Sequence, residues 1–164
     1  MKPFKEIKKW FENQENLFYL FLIILIVPNV VLCFTEPMPI VAKVCNVLLP
    51  FSIYYMVMSW SRNCGRTFWI LFPFLFFGAF QIVLLYLFGQ SIIAVDMFLN
   101  LVTTNSSEAL ELLDNLIPAI VIVVLLYIPA LAMATVSVIK KRELPELFIH
   151  RERKRARLAM IAGV

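Results

Sequence analysis

Residues Leu17–Phe34 read LFYLFLIILIVPNVVLCF, eighteen residues without a charge. About 20 such residues in helical form cross the hydrocarbon of a bilayer, so this run decides the class of fold. Lipid offers no partner to exposed backbone groups, and helices satisfy theirs internally. Working outward, comparable apolar runs lie at about 40–60, 67–88 and 116–139, and a further one starts at Leu158. The sequence therefore predicts an all-α, polytopic membrane helix bundle: four full spans, a partial fifth and outer interfacial helices. The chain as a whole is 62% hydrophobic, well above the ~45–50% apolar content of soluble domains. Its mean hydropathy is +0.86.

Charge sets the expected orientation. The N-terminal flank holds four basic residues, Lys2, Lys5, Lys8 and Lys9. Arg62 and Arg66 lie between spans two and three, and eight more basic residues lie between Lys140 and Arg157. These three segments hold fourteen of the fifteen basic residues and alternate correctly for one side of the membrane. By the positive-inside rule the N-terminus is cytoplasmic and 90–115 faces out. Lys43 is the exception, near the outer end of span two, where it can snorkel. No small-residue cleavage site follows the first run, so an uncleaved span is expected rather than a signal peptide.

The flanks are informative too. Phe4, Ile7, Trp10 and Phe11 recur at spacings of three and four within 1–16, which suits a cytoplasmic interfacial helix; a plain positive anchor with an aromatic belt residue suits it equally. The linker KKRELPELFIHRERKRAR resembles a phospholipid or nucleic-acid patch by charge, but beside two spans it is better read as a determinant of topology. No nucleic-acid partner is expected. Pro28, Pro50, Pro73, Pro118 and Pro129 read as ordinary kinks in or at the ends of spans. Asn29, Asn46 and Gln81 read as hydrogen-bonding partners between helices, and the aromatic run FWILFPFLFFGAF as facing lipid and neighbouring helices. Cys33 and Cys45 fall near one membrane face, within reach of a disulfide, although buried free thiols are the expected state. With His150 the single histidine and no CxxC, no metal site is expected in this chain.

Between the third and fourth apolar runs sits a polar stretch, 90–115, with no Lys or Arg. Asp96, Asn100, Thr104 and Glu108 recur every four residues, a step that drifts only ~40° around a helix. On one face, carboxylate, amide and hydroxyl groups suit a small polar headgroup: Glu108 for an ammonium, Asn100 and Thr104 for phosphate oxygens. A different reading is open on spacing alone. Asn105-Ser-Ser-Glu108 fits a capping box, which would make Glu108 a device for starting a helix.

The string from Asp96, DMFLNLVTTNSSEALELL, resembles the segment after the third span in phosphoethanolamine transferases, bacterial inner-membrane enzymes that decorate lipid A and other envelope glycans. The family pattern is an Asn, a Thr four on, a Glu four further and an A-x-E-L-L-like tail; here stand Asn100, Thr104, Glu108 and ALELL. The layout of spans, outer segment and basic linker is also similar. The resemblance implies that 17–164 is a membrane domain in which Asn100, Thr104 and Glu108 hold the phosphatidylethanolamine headgroup, with Asp96 added on geometry alone. It places the chemistry in a periplasmic alkaline-phosphatase-like domain, where zinc activates a Thr nucleophile. No such motif or zinc ligand set occurs here. The chain is thus expected to be inactive alone, a piece of a longer protein or the product of a shortened gene, ending inside span five. Two other classes compete: a small transporter or channel subunit, which would place charges inside spans, and a non-catalytic structural membrane protein.

Overall fold

The computed structural model describes residues 10–88 and 106–163. These form six helices, and no strand occurs among the described residues. Helix α1 (Gln14–Thr35) starts where the Asn13 side chain accepts a hydrogen bond from the Glu15 amide, with Glu15 complementing the helix dipole. It ends before Pro37 and Pro39, and α2 (Ile40–Met58) begins directly after Pro39. Both agree with the expected spans. Pro28 and Pro50 lie inside them.

The third expected span is split. Asn63 caps α3 (Cys64–Ile70) by accepting from the Arg66 amide at 2.8 Å. Leu71 then interrupts the helix before α4 (Phe72–Phe88). Pro73 explains the break, since it has no N–H for the Trp69 carbonyl and its ring crowds that turn. Three of the described helical segments are long and apolar enough to cross a membrane, α1, α2 and residues 120–139; four full spans are not shown.

Residues 120–139 belong to a longer helix, α5 (Ser106–Ile139), of 34 residues. At 1.5 Å per residue it is ~51 Å long, beyond the ~30 Å of a hydrocarbon core. Its first turns take in 106–115, so the end of the expected outer segment is continuous with the fourth span rather than a separate surface helix. Helix α5 closes with a Schellman motif. Lys141 adopts φ 47°, its amide bonds the Val138 carbonyl, and the Arg142 amide bonds the Ser137 carbonyl.

The basic linker is largely helical as well. Helix α6 (Glu146–Gly163) continues through Leu158, where only the start of a fifth span was expected. Leu144, Phe148, Ile149, Glu152 and Ala156 are buried, and α6 packs along α2. The core centres on the ends of α1, α2 and α3. Phe21 and Phe68 stack at 4.2 Å, and Phe18 meets Phe148 edge-on at 5.5 Å. Phe72, Phe74, Phe76 and Phe77 on α4 are exposed, as the aromatic run predicts for a lipid-facing surface.

Candidate functional site

Of the residues singled out in the sequence, Asp96, Asn100 and Thr104 lie outside the described residues, as do Gln90 and Asn105. Glu108 is the third residue of α5, about 18 Å along the helix axis from Ile120. That position suits a helix-start role and a headgroup role alike. Of the four, Glu108 alone therefore falls on a described helix. The N-terminal interfacial helix also falls mostly on residues outside it; residues 10–12 are helical and Asn13 interrupts them.

Polar chemistry inside the described bundle gathers in three places. At the first, Glu152 is fully buried on α6. The Tyr55 hydroxyl donates to one carboxylate oxygen. Arg151 Nε and Arg155 donate to the other at 2.9 and 3.0 Å. Burial by itself raises the pKa of Glu152. The hydrogen bonds from Tyr55 and Arg151, with contributions from Tyr19 and the Arg155 charge, outweigh burial and hold the carboxyl below its ordinary range. A buried carboxylate satisfied on both oxygens by side chains of two helices acts as a clamp between α6 and α2.

The second place lies between α1 and α2. Asn46 Nδ2 donates to the Asn29 carbonyl at 2.8 Å, and Asn29 Nδ2 donates to Asn46 Oδ1 at 3.2 Å. Cys33 Sγ lies 3.4 Å from both Asn46 Nδ2 and the Lys43 carbonyl. The expected interhelical role of these asparagines is thus seen directly. Cys33, Cys45 and Cys64 are all free; Cys64 alone is buried, while Cys45 is exposed. Nothing is described of the Gln81 side chain.

The third place joins three chain segments. Gln14 Oε1 accepts from Ser137 Oγ at 2.6 Å and from Cys64 Sγ at 3.4 Å. The Gln14 amide nitrogen is buried with no partner among the described residues. Beside this knot, Gly65 lets α3 touch α5: a Cβ on Gly65 would lie 2.4 Å from the Ala134 carbonyl oxygen.

The basic segments converge on one end of the bundle. Arg62 pairs with Glu143 at 3.1 Å and Glu146 at 2.7 Å, and the Leu144 amide bonds the Arg62 carbonyl. Arg142 reaches Glu12 at 3.9 Å. The segment 89–105 connects the other ends of α4 and α5. His150 is exposed on α6, and no group of three His, Cys, Asp or Glu side chains is placed to hold a metal among the described residues.

Glu152 escaped the sequence reading because it stands in a run of arginines that looks fully solvated. A signal was present: Leu144, Phe148, Glu152 and Ala156 recur every four residues, with no Lys or Arg among them.

Compared with protein-family models, with curated proteins and with solved structures, the chain matches none.

Proposed function

We propose that this chain is the membrane-embedded part of a bacterial phosphoethanolamine transferase, one that moves phosphoethanolamine from phosphatidylethanolamine to lipid A or another envelope glycan. It resides in the inner membrane as a multi-pass protein, with a cytoplasmic N-terminus and a periplasmic 90–115. Its part is to anchor the enzyme and hold the donor headgroup: Glu108 takes the ammonium, Asn100 and Thr104 the phosphate, and Asp96 extends the face. Phosphoryl transfer, zinc and the Thr nucleophile belong to a periplasmic catalytic domain outside these residues.

The observation that carries this reading is the Asn100, Thr104, Glu108 register followed by ALELL. The fold supports it in two ways. The basic segments meet at one end of the bundle, and 89–105 joins helix ends away from them. The charged residues of the three candidate spans, Glu15 and Lys43, each sit within the first four residues of a helix rather than along a transport path.

The test is lipid retention by the intact chain in nanodiscs, read by native mass spectrometry. Phosphatidylethanolamine is expected to stay bound in preference to phosphatidylcholine. Asn100→Ala, Thr104→Ala and Glu108→Gln should each weaken that preference. Equal retention of both lipids, or variants that behave like the parent, would sink the reading. Extending the coding frame past Val164 provides a second check, since a Thr nucleophile and zinc-type Asp and His residues are expected there.

A further inference from the structure

At the basic end of the bundle a cleft of about 530 Å³ opens between the end of α2 and α6, lined by Met56, Ser59, Trp60, Arg153 and Arg157. Its volume falls in the range of small-ligand sites, roughly 300–1,000 Å³. Arg153 and Arg157 are four residues apart and share a face of α6. Arg153 is held in place, donating to the Ser59 carbonyl at 3.4 Å and the Trp60 carbonyl at 3.2 Å. Arg157 makes no ion pair among the described residues. Trp60 is 78% exposed and also walls a second cleft, of about 580 Å³, with Val57, Arg66 and Ile70. One indole therefore stands between three guanidinium groups.

Four carboxylates of this end are engaged elsewhere. Glu143 and Glu146 pair with Arg62, Glu12 with Arg142, and Glu152 with Arg151 and Arg155. No carboxylate lines either cleft. Both clefts thus present positive charge, with apolar walls from Met56, Val57 and Ile70 beside the end of a helix apolar enough to span a membrane.

We propose that these paired clefts around Trp60 form a site for an anionic glycerophospholipid. The planar guanidinium group of Arg157 takes its phosphate oxygens in forked hydrogen bonds, Arg66 across the indole adds positive charge, Trp60 lies at the headgroup level as interfacial indoles do, and the apolar walls receive the first acyl carbons. Soluble phosphate would satisfy the arginines but leave those walls in water, which favours a lipid. The site lies where α2 ends and α6 packs against it, and it does not depend on the transferase reading.

The test keeps Trp60 as the sole indole through Trp10→Phe and Trp69→Phe in the full chain, reconstituted in vesicles. Phosphatidylglycerol brominated near the top of its acyl chains should quench Trp60 more than equally brominated phosphatidylcholine. Arg66→Gln and Arg157→Gln should each lower this preference, by about five-fold per arginine. Lys154→Gln removes the same charge from an exposed position outside both clefts and should lower the preference by less than Arg157→Gln. Equal quenching by the two lipids overturns the site. So does a Lys154→Gln loss as large as that of Arg157→Gln, which would reduce it to diffuse surface charge. Loss of the preference on adding inorganic phosphate alone would replace the lipid by a free oxyanion.

Discussion

The basic end and the middle of the bundle solve the same problem, holding polar groups among apolar helices, with different chemistry. The end adds ions to its neutral Gln14–Ser137–Cys64 knot: a buried carboxylate with two arginines, and Arg62 between two glutamates. The middle uses neutral groups: the Asn29–Asn46 pair, and Gly78 packed under Pro28, where a Cβ would lie 2.8 Å from the Pro28 ring. The difference follows from desolvation. At the end, Arg151 and Arg155 keep more than half their side-chain surface exposed, so only the carboxylate loses its water. In the middle an ion would lose all of it, whereas an amide pair exchanges hydrogen bonds at little cost.

Substitutions can break that contrast, and the steric ones should be the largest. Gly65→Ala at the basic end drives a Cβ into the backbone of Ala134, so α3 and α5 must separate; a loss of about 3 kcal/mol is expected in thermal or denaturant unfolding in detergent. Stability unchanged within error would show that the close approach is not rigid. In the middle, Gly78→Ala meets a proline ring rather than a carbonyl and should cost less, about 1–2 kcal/mol.

Glu152→Gln comes next. It retains the shape but loses the charge that draws in both arginines, and about 2 kcal/mol should disappear once their exposure is discounted. Its counterpart, Asn46→Leu, removes two interhelical hydrogen bonds and should cost about 1 kcal/mol, typical of such bonds in membranes. If Asn46→Leu proved the more damaging of the two, the ionic end would not be the stronger fastening.

Acid sharpens the contrast further. Because the folded state depresses the Glu152 pKa, its stabilisation is complete above the free glutamate value of ~4.3 and fades as pH falls below it. The melting temperature should therefore drop below about pH 4, by less in Glu152→Gln than in the parent; identical acid profiles would exclude Glu152 as the source. The smallest effect expected is a gain. Lys141→Gly relieves a left-handed residue at the end of α5 and should stabilise by up to about 1 kcal/mol, provided α6 keeps its seat when followed by tryptophan fluorescence.

Some of this was legible residue by residue. Leu17–Phe34 announces its helix because uninterrupted apolar residues have one stable state in lipid, and Asn29 and Asn46 announce a partner because a lone amide at that depth is costly. Pro73 stood in plain view, yet whether a proline kinks a span or divides it depends on how neighbouring helices receive the freed carbonyl. The candidate headgroup residues were legible only as a register, and of these Glu108 alone lies on a described helix.

The amino-acid sequence by itself determined that the chain is helical, that its long apolar segments suit a bilayer, and which segments carry the positive charge. These properties are sums over local residues: apolarity, length and charge need no neighbour to be felt. Only the tertiary structure decided that the basic linker folds back as α6 along α2, that Glu152 is buried among its arginines, and that Trp60 stands between clefts on either side. Those outcomes rest on which helix faces meet, and a side chain's burial and partners exist only once the helices have packed.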